Sequence, residues 1–195
     1  MRAFDALTTA TPAPWQRLRL NIYRGGPGRY FPDQPGAVEV VAQIERLATD
    51  PWQSDQALHA EHSELRWTPH PGDRFKLLAK HEHVRFALEA QRRRLDELFI
   101  INQADRLVGC VAGNVLLRLA GAWYSPTLSD GALAGTVRQF MLEEGLVQER
   151  SMEASLVDQA EAFARTNSIT GVMPIGKQSI DAIQPLREAL RGWRN

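Results

Sequence analysis

Residues 97–125, ELFIINQADRLVGCVAGNVLLRLAGAWYS, hold three apolar runs, LFIINQ, LVGCVAGNVLLRL and AWYS, separated by QADR and AGA. Short apolar runs between turn signals read as strands, so this stretch is expected to be a meander. Before it, Val84, Ala87, Leu88, Gln91 and Leu95 recur at helical spacing, with Arg85, Arg92, Arg93 and Asp96 left for water. That pattern predicts a helix of about four turns. After it, LSDGALAGTVRQFMLEEG offers a glycine-rich lead into a helix that Gly145 would stop. A strand (LVQERS), a short helix (ASLVDQAE), two more strands (AFARTNS, GVMPIG) and a helix over 179–193 are expected to follow. Strands mixed with helices make the chain α+β or α/β.

The N-terminal third is read differently. In RLRLNIYR, Leu18, Leu20 and Ile22 alternate with Arg17, Arg19, Asn21 and Tyr23, as in a half-buried strand. GGPG at 25–28 marks a turn, and 36–48 is a second strand running into a less regular element. The prolines and polar clusters of 50–73 read as a connection. The expected organisation is a small N-terminal lobe over 1–55, a linker over 56–73 and a larger lobe over 74–195.

Charge narrows the function classes. Basic and acidic residues both number 23, so no global field draws the chain to nucleic acid or an anionic membrane, and a small molecule is the expected partner. The single cysteine, Cys110, excludes an internal disulfide. The start lacks the pattern of an export signal, so a cytoplasmic protein is expected. No apolar stretch approaches the roughly 20 residues needed to span a bilayer. The five histidines include HxxH and HxH spacings, but no carboxylate–histidine motif accompanies them and no metal site is expected. G-x-S-x-G does not occur.

Only three basic residues are lysines, Lys76, Lys80 and Lys177, and Lys80 sits where an apolar run meets a helix. A partly buried lysine has a lowered pKa and acts as nucleophile and proton carrier, which arginine cannot do. Read alone, the residue is also a lysine snorkelling at a helix start, and Lys76 is the competing candidate. Arg24 and Arg29 bracket GGPG but precede YFPD rather than a helix, so that loop is not a P-loop.

Taken in order, Lys80 before a helix, ELFIIN, CVAGN, YSPTLSDGALAGTVR and TNSITGVMPI resemble the fold-type IV pyridoxal-phosphate enzymes. That group comprises the branched-chain and D-amino-acid aminotransferases and the 4-amino-4-deoxychorismate lyases. The likeness runs from about Arg17 to about Ile175. It implies a D-amino-acid aminotransferase-like fold with a shortened N-terminal α/β lobe and a C-terminal pseudo-barrel lobe, a homodimer, and pyridoxal 5'-phosphate attached to Lys80. It further implies that Gly135, Thr136 and Val137 cradle the cofactor phosphate and that Thr166, Asn167 and Ser168 form a second phosphate loop. The implied reactions are transamination between an amino acid and a 2-oxo acid or, as an alternative, elimination from 4-amino-4-deoxychorismate. Two family features have no counterpart: Gly109 stands where a glutamate meets the pyridine nitrogen, and no residue matches an arginine that grips the phosphate from a preceding segment. A non-catalytic family member is therefore a further expectation.

Overall fold

The computed structural model describes residues 13–26, 36–78 and 81–194. The chain divides into two compact units, Met1–Pro51 and Trp52–Asn195. In the first, β1 (Trp15–Arg24) pairs antiparallel with β2 (Val38–Leu47). The register places Leu18 opposite Ile44, Leu20 opposite Ala42 and Ile22 opposite Val40. Directly paired residues share a face, so these six make one apolar side. Arg17 and Glu45 pair on the other, 3.1 Å apart. The expected alternation is present, but the apolar side stays open to solvent, with Ile22 62% exposed.

The second unit is built from two sheets and three helices. One sheet joins β3 (Ala60–Trp67), β4 (Glu97–Asn102) and β5 (Leu107–Gly109). Residues 60–67 were expected to belong to a linker; instead they pair in parallel with β4. A parallel pair needs a crossover, which α1 (His81–Arg93) supplies. Polar burial explains why the strand is hard to read. Ser63 points inward and donates to Glu89 Oε2 at 2.7 Å, while Glu64 N donates to Glu89 Oε1 at 2.8 Å. Burial alone would raise the Glu89 pKa, but these donors and Arg93 outweigh it and hold the carboxyl below its ordinary value.

The other sheet has the order β10-β9-β6-β7-β8, with β6 at Asn114–Leu119, β7 at Ala122–Ser125, β8 at Gln148–Glu149, β9 at Ala162–Asn167 and β10 at Gly171–Ile175. The run expected as one strand over 107–119 is thus two, broken by a turn at which Cys110 and Gly113 bridge. LVQERS contributes only the two residues of β8, and ASLVDQAE forms a 3-10 helix. Pro174 lies in β10, where it gives its carbonyl to Leu58 N at 2.8 Å and needs no N–H of its own.

Alternation along β6 divides the core. Val115 and Leu117 pack with Phe99, Leu107, Phe163, Met173 and Ile175 between the sheets. Leu116 faces the opposite way, against Val137 and Met141 of α2 (Thr136–Glu143) and Leu186 and Leu190 of α3 (Gln184–Arg194). A third cluster, with Phe86, Leu98 and Ile100, seats α1 on the three-stranded sheet.

The contrast between the two units sets a stability test. Leu117 is fully buried and Leu20 is 47% exposed. Leu117→Ala is expected to lower the unfolding free energy by about 2–5 kcal/mol, and Leu20→Ala by less than about 0.5 kcal/mol. Urea titration of both variants checks this; equal losses would contradict the assigned core.

Candidate active site

The site is assembled at the ends of β6 and β9. Asn114 opens β6 and Thr166 lies opposite it in β9, so the two side chains share a face. Asn114 Nδ2 donates to Leu133 O at 2.8 Å, and a Cβ on Gly135 would run into Asn114 Oδ1. The backbone approaching α2 therefore rests on this pair, as closely as glycine permits. Gly135 caps α2 in an extended conformation and contributes no side-chain bond to the cap. The first amides of a helix have no partner within it, and the helix dipole adds positive potential there, making a ready anion site. Thr166 Oγ1, beside Asn114, is buried without a hydrogen-bond partner among the described residues.

The expected second phosphate loop is the 167–170 hairpin between β9 and β10. Asn167 shapes it: Oδ1 accepts from Ile169 N, Thr170 N and Thr170 Oγ1, and Nδ2 donates to Ala112 O at 2.9 Å. Its carbonyl is spent on the turn, an Asx arrangement. Ser168 is exposed at the tip, and Thr136 is exposed at the start of α2. The structure thus brings Gly135, Val137 and Thr166 to one face of the sheet and leaves Ser168 at the hairpin tip.

Lys80 lies outside the described residues, but both of its flanks are anchored. Upstream, Asp73 Oδ2 accepts from Trp67 Nε1 at 2.9 Å and from His70 N at 2.6 Å, while Ala134 N donates to Arg74 O at 3.1 Å. Residue 74 is thereby fixed to the backbone leading into α2. Downstream, the His83 ring meets Trp67 edge-on at 5.0 Å. Trp67 itself packs on Gly131, whose φ of +108° and the 2.8 Å gap to Trp67 Nε1 exclude any side chain. Lys76 and Lys177 are both exposed.

The sequence reading missed a buried ion pair. Arg165 of β9 donates from Nη1 to Glu97 Oε1 at 2.9 Å and from Nη2 to Thr170 Oγ1 at 3.0 Å, leaving Nε buried and unbonded. Glu97 is wholly inaccessible and also accepts from Ala112 N at 3.3 Å. Burial raises the Glu97 pKa, and Arg165 opposes that rise. The one signal in the sequence was an arginine inside the otherwise apolar start of AFARTN. Burial, reinforced by Glu97, also pushes the Cys110 thiol well up, against the pull of Arg165, and leaves it unreactive. Gly109 presents open space: a Cβ there would meet only Gly113 O, at 3.3 Å. Among the described residues no group of His, Cys, Asp and Glu is placed to hold a metal ion.

Comparison with known proteins decides the family. The sequence pattern of amino-transferase class IV matches residues 3–177. The chain belongs to this family. Among solved structures it is similar to the holo form of the branched-chain amino acid aminotransferase from Thermobaculum terrenum, which contains pyridoxal phosphate. That match has a TM-score of 0.83 at 17% identity and covers 98% of this chain and 68% of that one. It is also similar to a Legionella pneumophila structure that carries the name 4-amino-4-deoxychorismate lyase, with a TM-score of 0.73 at 19% identity, covering 91% and 69%. At such identities the likeness is one of fold, a mixed α+β class IV fold. An uncharacterized protein of Haemophilus influenzae is 32% identical over 85 residues, a match spanning 44% of each chain and so less than half of that relative's length. No described helix is long and apolar enough to cross a membrane.

The ion pair predicts a pH-dependent stability. Removing one partner of a buried pair costs about 3–5 kcal/mol because the other charge is stranded, so Arg165→Met is expected to destabilise by that amount at neutral pH. A carboxylate with a raised folded pKa stabilises below its unfolded value, and that contribution fades as pH rises through the folded value. The loss in Arg165→Met should therefore be smallest in acid and grow with pH, and Glu97→Gln in the same background should flatten the trend. Urea midpoints across the acid-to-neutral range provide the check; a loss independent of pH would contradict the pairing.

Proposed function

We propose that this class IV chain is a pyridoxal-phosphate-dependent enzyme acting on an amino acid and a 2-oxo acid, with Lys80 as its catalytic residue. The observation that carries the reading is Thr166 Oγ1, a buried hydroxyl with no partner, set beneath the open amides at the start of α2. An orphaned buried hydroxyl is costly unless a ligand completes it, and a phosphate oxygen does so. The residues present fit the cofactor's phosphate end: Gly135 admits close approach, the Thr136 and Val137 amides donate, and Thr166 and Ser168 add hydroxyls.

Bound there, pyridoxal phosphate supplies an electron sink for negative charge developing at the substrate Cα. Lys80 Nζ holds the cofactor and moves the proton at that Cα. Its approach is fixed by the Arg74–Ala134 hydrogen bond on one side and by His83 against Trp67 on the other. Asn167 acts indirectly, by fixing the hairpin that presents Ser168.

A second reading, elimination from 4-amino-4-deoxychorismate, is favoured by Gly109. Without a carboxylate at that position the chain makes a weaker sink, which burdens transamination more than elimination. TNSITGVMPI over 166–175 is also nearer in character to the lyase branch.

The test is to add pyridoxal phosphate to the purified chain, record the visible absorption, reduce with borohydride and map the labelled peptide. A band that is lost in Lys80→Ala, with the adduct on Lys80, is the expected outcome. No band, or label spread over Lys76 and Lys177, would point to a non-catalytic family member.

A further inference from the structure

The Glu97–Arg165 pair is unused by the chemistry above, yet it lies beside the position where the family's carboxylate is missing. We propose that Arg165, held in place by Glu97, is this chain's partner for the ring nitrogen of pyridoxal phosphate, meeting it through Nε–H and keeping that nitrogen unprotonated. The proposal rests on the cofactor reading above and adds to it the class of reaction that the site favours.

Three observations carry it. The first is unmet capacity. Of the guanidinium nitrogens, Nη1 is bonded to Glu97 and Nη2 to Thr170, while Nε is buried with no acceptor among the described residues. Glu97, by contrast, is wholly inaccessible and already accepts from Arg165 and Ala112 N. The second is location. A Cβ on Gly109 would meet Gly113 O at 3.3 Å, and a Cβ on Gly113 would meet Arg165 Cγ at 3.1 Å and collide with Thr166 O. Only the Gly113 backbone separates the arginine stem from the open space at Gly109, and any larger residue at 113 would displace that stem. The third is continuity with the phosphate end. Arg165 directly precedes Thr166, and both lie where β9 runs out into the 167–170 hairpin, so a ligand lying across the strand ends meets one residue from each face of the sheet.

The chemistry follows from the donor. A guanidinium carries only N–H groups and no acceptor, so Nε needs a lone pair, and an unprotonated pyridine nitrogen has one. A protonated ring nitrogen would set N–H against N–H and positive charge against positive charge, which disfavours the charged form. A glutamate at 109 would do the reverse. With the ring nitrogen neutral the sink is weaker, and the site suits proton transfer at Cα or elimination better than a complete transamination cycle.

The experiment is ring-nitrogen NMR of pyridoxal phosphate labelled with 15N in the ring and bound to the full chain, with Arg165→Met and Gly109→Glu alongside. Gly109→Glu leaves the ion pair intact and has room for its side chain, so it serves if Arg165→Met does not fold. The expected result is a wild-type resonance in the region of free pyridine that moves to the pyridinium region in Gly109→Glu and, where it folds, in Arg165→Met. A wild-type resonance already in the pyridinium region would overturn the proposal while leaving the cofactor reading intact. So would a bound signal that neither variant moves. If the wild-type chain retains no labelled cofactor at all, the cofactor reading itself fails and this inference falls with it.

Discussion

The antiparallel pairing of β6 with β9 is the constraint from which the rest of the second unit follows. Its register sets Asn114 against Thr166 and Val115 against Arg165. Because side chains alternate along a strand, a slip of one residue would exchange the faces of both strands. Thr166 would then leave the α2 side, Arg165 would lose Glu97, and Leu116 would move out of its cluster with the two helices. Apolar contacts on both sides of β6 make such a slip costly. The same hydrophobic core that holds the sheets together thereby sets the position of every polar group in the site.

Polar burial in this unit serves geometry rather than net stability. A buried ion pair gains little over a well-packed apolar pair, whereas an unpaired buried charge is strongly unfavourable. The paired charges therefore act mainly as constraints. Glu89 ties α1 to β3 through Ser63 and Glu64, which fixes the crossover that begins immediately after Lys80. Glu97 ties β4 to β9 and to the 110–113 turn. Arg187 of α3 reaches Asp55 and the Val172 carbonyl, fastening the start of the unit to β10. Each joins elements far apart in the chain, and a misplaced partner would strand a charge.

Those long separations explain which parts were legible in the sequence. The Leu18, Leu20, Ile22 alternation, the helical spacing after Lys80 and the glycine-led start of α2 are local patterns, and each marks an element now seen. β3 was not legible because its inward face carries Ser63, whose partner Glu89 comes from a helix 26 residues away. Residues 60–67 thus look like a polar connection until the fold supplies the acceptor. The Glu97–Arg165 pair spans 68 residues and was hidden for the same reason. The role of Asn167 was misjudged in kind: its place in a phosphate-loop motif suggested ligand contact, while its side chain is committed to the backbone of the turn.

Gly109, Gly113 and Arg165 have to be considered as one unit. A glycine at 109 removes a carboxylate and leaves space; a glycine at 113 removes the side chain that would block the arginine stem; the arginine then fills a strand position whose neighbours are alanine and threonine. Had the carboxylate alone been lost, the site would hold an open volume beside an apolar strand and no charge to orient a ring. Instead a cation stands there with its position set by a buried acid and its Nε still lacking an acceptor. A strand carrying an unsatisfied donor on one face and an unsatisfied hydroxyl at the next residue on the other bears the cost of both burials while unliganded. That cost is recovered when one ligand with a lone pair at one end and an anion at the other lies across the end of β9.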